Sequence, residues 1–179
     1  MNKVLIYLPQ QVYHAVWSHL LPTRFRNEEA SFMYVSAASA GKAHEFEFVD
    51  WDPIQPHGFL ARSRYGFELT DESRARVIKR AHDLGASLVE MHSHAGSWPA
   101  AFSTSDLIGF AEFLPHVWWR LQGKPYFALV VTRRSFDGLA WLTSPDSPQR
   151  LDGIAVGETI LVPTKLSAFN SDTYERRQI

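Results

Sequence analysis

The sequence predicts a fold of the α/β or α+β class, with strands interspersed among at least two helices. Three observations carry this reading. Short apolar or alternating runs recur along the whole chain. Two stretches instead repeat at helical spacing between capping signals. No internal repeat, low-complexity tract or Gly/Ser linker divides the 179 residues. Residues 1–179 therefore read as one domain, long enough to bury a real core.

Val4 to Leu8 is a strand candidate ended by Pro9. Gln10 to Leu20 is a short helix with Val12, Val16, Trp17 and Leu20 near one face, broken at Leu21-Pro22. Ala30 to Ala37 is the second strand, followed by a turn signal at Gly41-Lys42. Glu45 to Trp51 alternates imperfectly through Phe46, Val49 and Trp51. Pro53 to Gly58 is a loop, and Tyr65, Phe67 and Leu69 share a face of the next strand. Thr70 to Leu84 is the clearest helix. Thr70 or Asp71 caps its start, Val77, Ala81 and Leu84 form its apolar stripe, and Gly85 stands at the glycine stop. Ala86 to His94 is a strand. A second strong helix opens at Ser103 and is expected to stop at Pro115, leaving His116 in a loop. Tyr126 to Thr132 is a strongly apolar, central strand. Leu139–Thr143 and Thr159–Val162 are later strands, and residues 167–179 form a polar tail.

Composition narrows the function classes. Apolar residues are 45% and aromatics 13% of the chain, ordinary for a globular protein. Eighteen basic residues against 19 acidic ones give a net charge of -1, so no nucleic-acid partner is expected. The absence of cysteine excludes disulfides and Cys-ligated zinc. The Val4–Leu8 run is too short for a signal-peptide core, and no run approaches the roughly 18 apolar residues of a membrane span. The expectation is a cytoplasmic protein without a membrane partner.

His92-Ser93-His94 is the sharpest motif. Residues two apart on a strand face the same side, about 7 Å apart at Cα, so two imidazoles can converge on one ion. The same pattern also occurs as paired surface histidines. Ser103-Thr104-Ser105-Asp106 opens the following helix and reads as a capping box, with Asp106 reaching back to the cap. It also places a carboxylate one short loop beyond the two histidines. Two His and one Asp leave a fourth tetrahedral position for water.

The segment from His92 to Asp106 resembles the JAMM (MPN-plus, JAB) signature, in which H-S/T-H is followed by a loop and S-x-x-D. The resemblance covers roughly Val4 to Leu142 in its order of elements. It implies a mixed, curved central sheet flanked by helices, in the MPN/JAB, cytidine-deaminase-like architecture. It also implies that His92, His94 and Asp106 hold Zn2+ and that Ser103 stabilises the oxyanion. Two departures stand out: Ala95 replaces the family's usual proline, and eight residues rather than seven separate His94 from Ser103. The family's general base lies in an E-x-x-G-hydrophobic-hydrophobic pattern before an early strand. Glu28 matches it with Ser31 at the small position. Glu29 is the alternative and would put Phe32 there. Glu90 is a further carboxylate on the histidine face, either behind the ligands or facing solvent.

What the resemblance implies for activity is hydrolysis of peptide or isopeptide bonds after the C-terminal glycine of a ubiquitin-like protein. The substrate tail would bind as an added strand. The bacterial relatives work beside E1- and E2-like proteins, some in antiviral defence. Trp98 and Phe102 either flank the substrate groove or pack the loop. Trp118-Trp119 reads as core plus surface stack, and Arg133-Arg134 as a solvated pair.

Other chemistries compete. A 2-His-1-carboxylate iron enzyme usually shows H-x-D with a distant His. A metal-free MPN scaffold would typically lack the ligands that this chain keeps. Zinc deaminases need a C-x-x-C that is missing, and His44-Glu45 starts no H-E-x-x-H.

Overall fold

A computed structural model of the protein describes residues 3–24, 26–38, 44–96 and 98–168. In chain order it contains β1 (Leu5–Leu8), α1 (Gln10–Leu20), β2 (Ala30–Ala37) and β3 (Glu45–Pro53). A 3-10 turn (Pro56–Gly58) leads to β4 (Phe59–Arg62), β5 (Phe67–Leu69), α2 (Asp71–Asp83) and β6 (Ser87–Ser93). Then come α3 (Thr104–Arg120), β7 (Tyr126–Val131), β8 (Phe136–Trp141), β9 (Gln149–Arg150), β10 (Gly153–Val156) and β11 (Thr159–Leu161). The turn expected at Gly41-Lys42 and the tail from 169 onward lie outside the described residues.

Nine of these strands form one curled, mixed sheet in the order β11-β10-β1-β3-β2-β6-β7-β8-β9, and β4 and β5 form a separate hairpin. β6 lies antiparallel to β2 and parallel to β7, so both of its edges are paired. Strand alternation splits the core in two. Phe32 and Tyr34 of β2, Leu88 of β6 and Tyr126, Ala128 and Val130 of β7 face α2 and α3, where Val77, Ala81, Phe110 and Leu114 meet them. Met33, Val35, Val89, Met91, Phe127 and Leu129 point the other way, towards Val16 and Leu20 of α1. Helices therefore cover both faces, which accounts for the unbroken apolar run of β7.

Local chemistry explains most boundaries. Thr70 Oγ1 accepts from the Ser73 N–H at 3.2 Å and caps α2, a contact worth about 1 kcal/mol. Gly85 follows the helix with φ of 60°, the left-handed position a glycine fills without strain. Leu84, expected on the buried stripe, stands exposed at the cap. The imperfect alternation of β3 has a cause: the β2–β3 register shifts between Tyr34 and Val35, skipping Val49, which is left exposed.

Several expectations are corrected. Pro115 does not stop α3, and it and His116 lie within the helix. Proline removes one N–H bond, but Leu114, Val117 and Leu121 bury on either side and hold the helical course. Tyr65 is not part of the β5 face; it lies outside the strand and is exposed. The loop at 53–58 contains the 3-10 turn, and the strand expected from Leu139 begins at Phe136. β4, β9 and β10 carry no distinct sequence signal. No described helix is long and apolar enough to cross a membrane.

Candidate metal centre

His92 is the penultimate residue of β6, and His94 lies one residue beyond the strand's end. The His94 N–H still donates to the Val131 carbonyl at 2.9 Å, so strand-like pairing continues through the motif. Both rings therefore emerge on the side that α3 covers. Asp106 sits in the first turn of α3, where Ser103 is the N-cap of a complete capping box. The Ser103 N–H and hydroxyl donate to Asp106 Oδ2 at 2.7 and 2.8 Å, and the Asp106 N–H returns to Ser103 Oγ at 3.2 Å. The cap and the ligand are thus the same structure.

The three side chains converge. His92 Nε2 and His94 Nε2 are 3.1 Å apart. Asp106 Oδ1 lies 3.5 Å from His92 Nε2, and Asp106 Oδ2 lies 3.2 Å from His94 Nε2. Donors bonded at about 2.0–2.1 Å to one tetrahedral zinc stand roughly 3.3 Å from each other. The donor set and its spacing therefore fit a divalent ion, the three ligand atoms all lying within 4.8 Å of one another. The geometry does not select zinc over another divalent metal.

Burial graduates across the cluster. His92 is 2% exposed, while His94 and Asp106 keep 23% and 18% of their side chains open. His92 Nδ1 is buried with no hydrogen-bond partner among the described residues. Packing fixes this ring instead, between Phe67 and Phe102 at centroid distances of 5.7 and 5.9 Å. Phe102 is thus a packing residue, whereas Trp98 is exposed.

Asp106 and His92 favour each other's charged forms. Burial alone would raise the Asp106 pKa, but hydrogen bonds from His92 and His94 hold it far below the usual carboxylate range. Burial alone would lower the His92 pKa, but the hydrogen bond and charge of Asp106 win, helped by Glu90 and Glu28, and lift it above its ordinary value.

The two glutamates before β2 separate cleanly. Glu28 is 4% exposed and points at the cluster, with Oε1 3.9 Å from His94 Nε2. Burial raises its pKa, partly offset by the two imidazoles. Glu29 turns outward and pairs with Arg62 at 2.5 Å. Of the two, Glu28 is the carboxylate that belongs to the site. Glu90 does face the same side. It accepts a hydrogen bond from the buried Tyr126 hydroxyl and lines a cleft of about 440 Å³ together with Glu28, His92 and Asp106.

Three supports escape sequence reading. Ser93, hidden between the two histidines, binds the Glu29 backbone. Arg62 lies in an unpredicted strand and holds Glu29. Asp137, 1% exposed, accepts from the N–H groups of Gly138, Lys165 and Ser167 and from the Ser167 hydroxyl. Ser167 Oγ in turn accepts from the Phe102 N–H at 2.9 Å, which anchors the loop that delivers Ser103 and Asp106. Only the alternation of Ser93 within H-x-H was available as a signal.

No protein-family model matches the chain, and no curated protein matches it.

Proposed function

We propose that this chain is a zinc-dependent hydrolase of the JAMM type, acting on the peptide or isopeptide bond after the C-terminal glycine of a ubiquitin-like protein. The observation that carries the hydrolytic reading is the meeting of His92, His94 and Asp106 beside a buried glutamate at a cleft. The substrate class follows from the resemblance of His92–Asp106 to the JAMM signature, as does work beside E1- and E2-like proteins.

A zinc ion held by these three residues would supply Lewis acidity and lower the pKa of bound water towards 7. The rest falls to the chain itself. Glu28, with its pKa raised by burial, accepts the proton of the attacking water and delivers it to the leaving amine. Ser103, on the exposed lip of the helix, turns its hydroxyl from Asp106 to the developing oxyanion. A single such donor is worth roughly 2.7–4 kcal/mol. His92, wedged between two aromatic rings, keeps the ligand set oriented.

The test is metal content and turnover on purified protein. We expect one equivalent of zinc, and slow release of a fluorophore attached after the terminal glycine of a ubiquitin-like probe. His92→Ala and Asp106→Ala should lose both. Zinc-loaded protein that cleaves no such probe would remove the substrate class, and protein that binds no divalent metal would remove the whole reading.

A further inference from the structure

The net charge of the chain is -1, yet arginines recur in the segments that adjoin the metal centre. Backbone contacts bring four of these segments together, and Arg134 follows Arg133 in the chain. Arg26 lies two residues before Glu28. The Glu28 N–H donates to the Ser63 carbonyl at 2.7 Å, which brings in the neighbouring Arg64. His94 donates to Val131, two residues before Arg133. Arg133 reaches the Pro22 and Thr23 carbonyls at 3.3 Å each, which draws in Arg24.

Among the described residues these charges meet no acid. Arg24, Arg26 and Arg134 are exposed and pair with no carboxylate among the described residues. Among the described residues Arg133 meets only carbonyls, and Arg64 stands 5.4 Å over the Tyr65 ring. Of the nearby acids, Glu29 is held by Arg62 and Glu28 is turned inward. Two aromatics join this rim in the open: Tyr65, which also lines the cleft, is 84% exposed, and Trp98, in the loop after His94, is 82% exposed. Arginine, tyrosine and tryptophan are the residues that dominate protein–protein binding energy.

The cleft that adjoins these segments at Glu28 and Tyr65 has the opposite character. Glu28, Glu90, Asp106 and Glu112 line it, with Arg74 as a counter-charge. A nucleic-acid strand, with one negative charge on every residue, would be drawn to the rim but repelled at the reacting centre. A polypeptide can place acidic groups outside and an uncharged stretch inside.

We infer that the arginine rim docks an acidic polypeptide surface, whose carboxylates meet the guanidinium forks while an uncharged segment enters the cleft. The assignment of that segment as the cleaved one rests on the hydrolase reading; the docking itself does not.

The test is fluorescence anisotropy on the full chain, both zinc-loaded and metal-free. The probes are a labelled peptide of alternating Glu and Gly, its Gln counterpart, and labelled oligo-dT of equal length. We expect the Glu peptide alone to bind, with or without zinc, and to weaken as salt rises from about 50 to about 300 mM. The triple variant R24E/R26E/R134E should weaken it about tenfold, while R120E at the end of α3 leaves it unchanged. Equal binding of the Gln peptide, undiminished binding by the triple variant, or tighter binding of oligo-dT would each overturn the inference. Acidic-peptide binding by protein that neither holds zinc nor cleaves a probe would sink the hydrolase reading alone. Turnover without such binding would sink this inference alone.

Discussion

Ser93 and Glu29 are joined by two reciprocal hydrogen bonds: the Glu29 N–H donates to Ser93 Oγ and the Ser93 N–H donates to the Glu29 carbonyl, both at 3.0 Å. This pair clamps the segment before β2 to the strand that carries the histidines. It is the reason Glu28, one residue earlier, faces the cluster. Ser93→Ala leaves the partly buried Glu29 N–H without its partner, at about 1 kcal/mol of stability. Because Ser93 is not a ligand, zinc content should hold while turnover falls about tenfold or more through the misplaced base. Full turnover in Ser93→Ala would show that the clamp is irrelevant to the base.

Glu28 and Glu29 should respond differently to the same substitution. Glu28→Gln should retain zinc and lose about 10²–10⁴ in turnover, the usual share of a general base. Glu29→Gln only loosens the pair with Arg62 and should cost less than about fivefold. Steady-state kinetics beside zinc analysis decides this, and a dead Glu29→Gln with an active Glu28→Gln would reverse the assignment.

The His92–Asp106 pair sets opposite pH trends for the metal-free and metal-loaded protein. The raised His92 pKa gives stability that is complete below its unfolded value of about 6.5 and fades as pH climbs through the higher folded value. The depressed Asp106 pKa gives stability present above its unfolded value near 3.9 and lost as pH falls through the folded one. Metal-free protein therefore gains most from this pair between about pH 4 and pH 6.5. Zinc needs neutral imidazole and displaces that proton, so its affinity rises with pH. Scanning calorimetry from about pH 5.5 to 8 should find the Tm gap between the two forms widening with pH. A gap that stays flat or narrows contradicts the ligand assignment.

Pro115 is exposed inside α3, where it withholds one backbone hydrogen bond. Restoring the N–H should outweigh the greater freedom of the unfolded chain and stabilise by about 1–2 kcal/mol. In a chain of this size that is a Tm increase of about 2–8 °C. A lower Tm for Pro115→Ala would mean that the helix depends on the proline geometry.

The features readable from the chain alone were local. α1, α2 and β2 appear where their periodicity and end signals put them, because those signals act within a few residues: Pro9 before α1, Thr70 and Gly85 around α2. The meeting of His92, His94 and Asp106 was legible for the same reason. H-x-H on a strand and S-x-x-D at a helix start each carry a defined geometry, and one short loop joins them. Tertiary structure decided whatever depended on partners distant in the chain. Pro115 could not stop α3, because Leu114 and Val117 on either side of it are buried in the core. The choice of Glu28 over Glu29 lay with Arg62 and Ser93, 33 and 64 residues away from Glu29. Asp137 holds the ligand loop through Ser167, whose N–H and hydroxyl reach it across 30 residues. Such contacts form when the sheet closes, and no local pattern of side chains encodes them.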